Sequence, residues 1–250
     1  MEEIVKCIIM SHKRSDNVVT LETIDNCCLC VEESQVEAYK KNYPDVEYLV
    51  HPDSVVGLSQ KIRWIYKKYP NACILDDDLN AMLRMFVKAG DDTNQKVDSE
   101  DAYNIIQATA FTAREMGVKL FGFGKNANPF CYTGHRPFRM TGFVIGGAFG
   151  LLEGFDMYLP DEVVSGSDFW LSGVNAYTHR KTWVDERYVF TSKEGTFKSK
   201  GGMAEHRTLE TEKADLLFLK KTFGDAVFIK GDNPVRKLAH GYERTLKIPF

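Results

Sequence analysis

The first 80 residues alternate short apolar runs with helix-like segments, an order that few architectures accept. IVKCIIM (4–10), CCLCV (27–31), VEYLVH (46–51) and ACILDDDL (72–79) each read as a buried strand. Between them, SDNVVTLETI (15–24) opens on a Ser/Asp cap and reads as a helix, and SQVEAYKKNY (34–43) is a second helix stopped by Pro44. GLSQKIRWIYKKY (57–69) sets Leu58, Ile62, Ile65 and Tyr69 on one stripe before Pro70 ends it. A repeated strand–helix order predicts a mostly parallel sheet covered by helices, an α/β fold. Such sheets bind ligands at the carboxyl ends of their strands. Ser11, His12 and Arg14 follow the first strand, His51 follows the third, and Asp76, Asp77 and Asp78 close the fourth. All are therefore predicted on one edge.

Beyond Leu79 the alternation stops. Residues 99–117 read as a helix with a capping start at Ser99, KLFGFG as a strand, and the glycine-rich 139–152 as one or two strands with close backbone approach. A helix over 166–180, a strand over 182–190, a polar loop over 192–207, a helix ending at Gly224 and the short strand AVFIK complete the chain. With 250 residues the whole fits one domain. It divides into a first part (1–80), a second part with a smaller mixed sheet (81–207) and a basic extension (208–250).

No apolar run approaches the roughly 18 residues of a membrane span, and the apolar run in the acidic N-terminus is too short for a signal-peptide core. The six cysteines include a Cys27/Cys30 pair at zinc-like spacing, but no second pair follows and both lie in an apolar strand. The expectation is a soluble cytoplasmic protein with reduced thiols. Charge is uneven. Residues 1–192 carry an acidic excess of 7 and residues 193–250 a basic excess of 4, against a net of −3. A basic tail suits a phosphate-bearing partner, or is simply a solvated surface.

Three consecutive carboxylates repel one another, and a hard divalent cation, Mn²⁺ or Mg²⁺, removes that cost. Alternation along an extended chain sends Asp76 and Asp78 to one side and Asp77 to the other. A solvated turn or a helix cap at Asp78 is the plainer reading of the same residues.

ILDDDL after a strand, preceded by GLSQKIRWIY, resembles the Asp-x-Asp region of GT-A glycosyltransferases, whose fold is Rossmann-like. GGAFGLLEGFDMYLP with SGSDFWL resembles the glycine-rich segment and Glu-Asp helix start of that superfamily. HRKTWVDERYVF sits where those enzymes carry their next strand, and His206 where many place a metal-binding histidine. The resemblance, over roughly 4–207, implies a metal-dependent hexosyl- or pentosyltransferase with a nucleotide-sugar donor, UDP by family frequency. It implies that Asp76 contacts the donor's ribose or sugar, and that Asp76, Asp78 and His206 hold the metal. Ser11, His12, Arg14, His51, Lys61 and Asp77 then line the donor site, with Lys200 on the departing diphosphate. Asp168 becomes the general base of an inverting transfer, or a helix cap, since Ser167 stands where the family has Glu. Gly146, Gly147 and Trp170 fall toward the acceptor, although Trp170 and Trp183 also suit the core. His135, Arg136 and Arg139 are candidates for an anionic acceptor, or ordinary exposed residues.

The short format also resembles the phage TET-associated glycosyltransferases that act on 5-hydroxymethylpyrimidines in DNA. On that reading Lys230, Arg236, Lys237, Arg244 and Lys247 form a phosphate-tracking surface. A glycan or small-molecule acceptor is the alternative. A sugar-nucleotide pyrophosphorylase would need a glycine-rich loop after the first strand, which MSHKRSDN lacks, and a non-catalytic nucleic-acid binder leaves the triple Asp unexplained.

Overall fold

The computed structural model describes residues 2–87, 95–192, 202, 207–229 and 244–247. The first half follows the sequence pattern. β1 (Lys6–Met10), β2 (Cys27–Glu32), β3 (Glu47–His51) and β4 (Ala72–Asp76) pair in parallel in the order β3-β2-β1-β4. Their connections carry α1 (Val36–Asn42) and α2 (Gly57–Lys68). The sheet continues through β8 (Ala148–Leu151), β6 (Leu120–Gly124), β9 (Trp183–Ser192) and β5 (Leu79–Arg84), with β7 (Phe138–Arg139) beside the start of β9. β8 is antiparallel to β4 and β6, β6 is parallel to β9, and β5 and β7 run against β9. Six of the nine strands thus share one direction, which makes the sheet mostly parallel. A separate antiparallel pair joins β10 (Val227–Ile229) to β11 (Arg244–Leu246).

Helices cover both faces. On one, α1 and α3 (Ser99–Glu115) bury Tyr39, Ile106 and Ala110 against Ile9, Leu75 and Phe121. On the other, α2, α4 (Ser167–Thr178) and α5 (Leu209–Phe223) bury Ile62, Trp170 and Leu219 against Ile8, Ile74 and Val184. At Gly150 the phenyl ring of Phe121 fills the space of a side chain, 1.9 Å from where a Cβ would stand. That is the close approach expected of the glycine-rich segment. Among the described residues no helix is long and apolar enough to cross a membrane.

The local differences have physical causes. Residues 15–24 form only a 3₁₀ turn, Val19–Glu22, in place of the predicted helix. The hydroxyl of Thr20 donates to Asp76 O (2.7 Å) and accepts from Leu79 N (2.9 Å), and Thr23 Oγ1 donates to Leu79 O (2.9 Å). The β-branched run VVT favours such side-chain bonding over helix. The fourth strand ends at Asp76 rather than 79, because Asp77 and Asp78 form the turn into β5. The cap of α3 is Asp98, which accepts from Asp101 N (2.8 Å), so the helix starts one residue earlier than Ser99 implied. Of 139–152 only Arg139 and 148–151 lie in strands.

Candidate functional site

The carboxyl ends of β1, β2 and β4 open on a cleft of about 530 Å³ that reaches across to the first turn of α4. Its near wall is polar. The His12 ring nitrogen Nδ1 lies 2.8 Å from Glu32 Oε1 at the end of β2, and Lys61 Nζ, from α2, lies 3.1 Å from the same oxygen. Lys61 also donates to Ser11 O (2.9 Å). Burial alone would raise the Glu32 carboxyl, but the His12 hydrogen bond and the Lys61 charge outweigh it and hold it at about 2. Glu32 therefore stays ionised, and among the described residues its Oε2 has no hydrogen-bond partner. This wall can receive the N–H or hydroxyl groups of a nucleoside.

The acidic turn divides its labour. Asp77, which is buried, accepts from Ser11 Oγ (2.5 Å) and Arg14 Nη1 (2.5 Å), and Ser11 in turn meets Tyr39 OH (2.8 Å). That network fixes the turn, so Asp77 is a brace whose carboxylate is already committed. Asp76 and Asp78 also line the cleft, with Arg14 Nη1 3.8 Å from Asp78 Oδ2, and the backbone N–H of Asp76 donates to Gly147 O (2.9 Å). Burial, then the charges of Asp78 and Asp77, push the Asp76 carboxyl well above its ordinary range. The separation of Asp77 from its neighbours thus comes from a tight turn rather than from strand alternation. Among the described residues no set of three or more His, Cys, Asp or Glu side chains is arranged to hold a metal ion. Two carboxylates still fit a hard divalent ion, which commonly takes one or two of them and completes its shell with substrate phosphate and water.

Gly146 and Gly147 separate this turn from Asp168. A Cβ on Gly147 would stand 3.5 Å from Asp76 Oδ2, and one on Gly146 would stand 3.2 Å from Asp168 Cβ. A side chain at Gly146 would crowd Asp168, whereas one at Gly147 would only touch Asp76, so Gly146 in particular keeps the space between the two acids open. Asp168 Oδ1 accepts from Phe169 N (2.8 Å), and the Gly146 N–H also supports the carboxylate. Burial raises the Asp168 carboxyl above its usual value, opposed chiefly by Arg244.

The segment entering α4 is held by another acid. Asp215, fully buried on α5, accepts from Val164 N (2.9 Å), Ser165 N (2.6 Å), Ser165 Oγ (2.8 Å) and Gly166 N (2.9 Å). Gly166 is the N-cap residue, so Asp168 stands inside the helix, facing the cleft. Asp215→Ala is expected to cost about 3–5 kcal/mol, because three backbone donors lose their acceptor in a buried place. Urea unfolding measures this, and a loss below about 1 kcal/mol would show that water replaces the carboxylate.

Several expectations land elsewhere. His51 is fully buried and does not line the cleft, because its Nδ1 meets Pro52 O (3.0 Å) and its Nε2 lies 3.6 Å from Glu32 Oε1. Trp170 is a core residue, stacked on Phe218 at 5.3 Å and donating to Tyr158 O (2.5 Å). Arg139 is engaged by Glu186 (2.7 Å) and by Thr141 O (2.7 Å), whereas His135 and Arg136 are exposed. Arg244 belongs to the cleft, not to an outer basic surface, with its side chain 5% exposed and paired to Glu212 Oε2 at 3.2 Å. Lys247 is exposed and lies over the Phe228 ring. Lys200, His206, Lys230, Arg236 and Lys237 lie outside the described residues.

The sequence reading did not single out Glu32, Arg207 or Asp215. Only the position of Glu32 at the end of a parallel strand could have flagged it. Arg207 and Asp215 reach the site through α5, whose packing no local pattern announces.

No protein of curated function matches the chain. The solved structure of UDP-glucose pyrophosphorylase complexed with UDP-glucose aligns with 87% of this chain and 99% of its own, at 8% identity and a TM-score of 0.35. That likeness is too slight to carry an argument. The model of the TET-associated glycosyltransferases matches residues 5–202, which spans the sheet, the acidic turn, the glycine pair and Asp168. The chain belongs to the TET-associated glycosyltransferase family and is an enzyme that transfers sugars.

Proposed function

We propose that this enzyme takes a sugar from a nucleotide-sugar donor, with the help of a divalent ion, and passes it to the hydroxyl of a 5-hydroxymethylpyrimidine in DNA. The observation that carries the transfer is the meeting of Asp76 and Asp78 with Asp168 across Gly146 and Gly147 in one cleft. The wall built from Ser11, His12, Arg14, Glu32 and Lys61 takes the nucleoside end of the donor, a uridine nucleotide in our reading. Asp76 and Asp78 would hold Mn²⁺ or Mg²⁺, which when bound supplies positive charge to the donor phosphates. His206 and Lys200 are the remaining candidates for that end of the site.

Asp168 accepts the proton of the acceptor hydroxyl as its oxygen bonds to the anomeric carbon. The bond from that carbon to the phosphate oxygen breaks, and its electron pair leaves on the nucleoside diphosphate. Attack from the face opposite the leaving group inverts the anomeric centre. The two glycines leave room for the sugar between the acids, and the bracing of Asp77 keeps the turn in place while charge moves.

Two features support a nucleic-acid acceptor. Residues 193–250 carry the basic excess noted above. Residues 125–152 contain no Asp or Glu, and this stretch leaves the cleft wall at Gly124 and returns to it at Ile145. On it Lys125, His135 and Arg136 are exposed beside Phe130, which is 86% exposed. Basic and stacking groups of that kind suit a phosphate backbone and an unstacked base.

The test sets hydroxymethylcytosine DNA against unmodified DNA and free saccharides, with a panel of nucleotide sugars and mass detection. Sugar should appear only on the modified DNA. Affinity for it should fall with salt, with a log–log slope of about −0.9 per phosphate contacted. Transfer to a free saccharide and none to the modified DNA would end the DNA reading and leave a glycan or small-molecule transferase. Pyrophosphate release in place of nucleoside diphosphate would point to a pyrophosphorylase.

A further inference from the structure

The end of the cleft beyond Asp168 is built by residues outside the matched 5–202 segment. Arg244, from β11, and Arg207, just before α5, both line the cleft and share one carboxylate. Arg207 Nε donates to Glu212 Oε1 at 2.5 Å, and Arg244 Nη1 lies 3.2 Å from Glu212 Oε2. Glu212 is itself buried, so it can do little except hold the two guanidinium groups apart. Arg244 lies flat against the site, its Cζ 4.8 Å from the Phe169 ring centroid and its Nη2 3.2 Å from where a Cβ on Gly166 would stand. Any side chain at Gly166 would crowd it.

Among the described residues the donors of Arg244 outnumber the acceptors offered to them. Its Nε is buried, and among the described residues no group accepts from it. Asp215, on the same helix as Glu212, is taken up by three backbone N–H groups and a hydroxyl. Asp168 accepts from Phe169 N and is supported by Gly146 N–H. A guanidinium cannot shed its proton to escape burial, and two guanidinium groups share the single Glu212 carboxylate, so an oxyanion in the cleft would offset the cost of burying their charge. The planar fork of arginine matches the paired oxygens of a phosphate.

We propose that Arg244 and Arg207, spaced by Glu212, form a phosphate-binding subsite at the Asp168 end of the cleft. Its ligand is a phosphate oxyanion carried by a substrate. Two sources share that chemistry: the diphosphate of the donor, and a phosphate beside the acceptor hydroxyl. The subsite rests on the reading of this cleft as the place of transfer, but it can be tested without turnover.

Binding of inorganic phosphate to the full chain is measured by calorimetry for the wild type, Arg244→Gln and Arg244→Lys. Arg244→Gln should weaken phosphate roughly tenfold or more, and Arg244→Lys, which keeps the charge but loses the fork, should fall between. Two further arms identify the source. Weaker binding of UDP, with uridine unchanged, assigns the subsite to the donor. Weaker binding of a phosphodiester oligonucleotide, with no change for its neutral methylphosphonate counterpart, assigns it to the acceptor. If Arg244→Gln does not fold, Arg244→Lys decides by the same comparison. Phosphate affinity equal to wild type in the folded variants would overturn the subsite and leave Arg244 as an ion pair that holds β11 to α5. A chain that binds phosphate as expected but transfers no sugar would instead overturn the functional reading.

Discussion

Asp78→Asn is expected to remove sugar transfer almost entirely, by about 10³-fold or more, while leaving the protein folded. Asp77 is tied to Ser11 and Arg14 inside the turn, and in our proposal Asp76 and Asp78, which line the cleft, would hold the divalent ion. Were Asp78 a metal ligand, its loss would forfeit several kcal/mol of charge stabilisation on the departing phosphate, and each 1.36 kcal/mol is a factor of ten. The effect on stability runs the other way. Burial and the neighbouring charges raise the Asp76 carboxyl, so without a cation the ionised cluster opposes folding at neutral pH. The sign follows from linkage: a carboxyl whose folded pKa is raised loses stability as pH climbs past its unfolded value. Removing the Asp78 charge relieves this, so the metal-free variant should melt at or above the wild-type temperature. Mn²⁺ should then raise the melting temperature of the wild type and not of Asp78→Asn, and a chelator should silence the wild type. Full activity in excess chelator would sink the metal role.

The half of the fold that builds the polar wall of the cleft was legible because its strands are short, apolar and separated by amphipathic helices. Ile8, Leu29 and Ile74 are fully buried, as parallel central strands require. What the pattern misjudged were segments whose bonding partners lie far along the chain. Thr20 and Thr23 look like helix residues, yet their hydroxyls are spent on the acidic turn more than 50 positions away. The strand order of the second half, β8-β6-β9-β5, could not be read either. Its glycine-rich stretch satisfies no simple period, and β5 leaves the acidic turn to pair at the opposite end of the sheet.

The site was legible where residue type and strand end coincide. Asp76, Asp78, Ser11, His12 and Arg14 all line the cleft, and so does Lys61. Sequence could not separate Asp77 from its neighbours by role, nor assign His51 to the interior, whereas the apolar neighbours of Trp170 already favoured the core position it takes. Arg244 shows the opposite error. Charge counting placed it on an outer surface, and tertiary pairing with Glu212 turned it inward.

The choice between a base and a cap at Asp168 decides the largest remaining effect. The N-cap of α4 is Gly166, and the segment leading into it is held by Asp215, so the helix start does not depend on Asp168. Asp168→Asn is nearly the same size and retains an oxygen for the Phe169 N–H, so melting temperature and donor affinity should change little. Turnover should fall by about 10²- to 10⁴-fold, the usual range for a lost general base. The pH profile adds an independent check. Burial raises the Asp168 carboxyl despite the opposing charge of Arg244, and a base works only when ionised. The acidic limb of kcat/KM should therefore lie above the ordinary aspartate value, with activity rising as pH climbs through it, and that limb should be absent from the residual activity of Asp168→Asn. Replacing Arg244 removes the charge that favours ionisation and should move the limb higher still. Unchanged turnover with weakened donor binding would recast Asp168 as a donor contact and send the search for a base to another residue of the cleft.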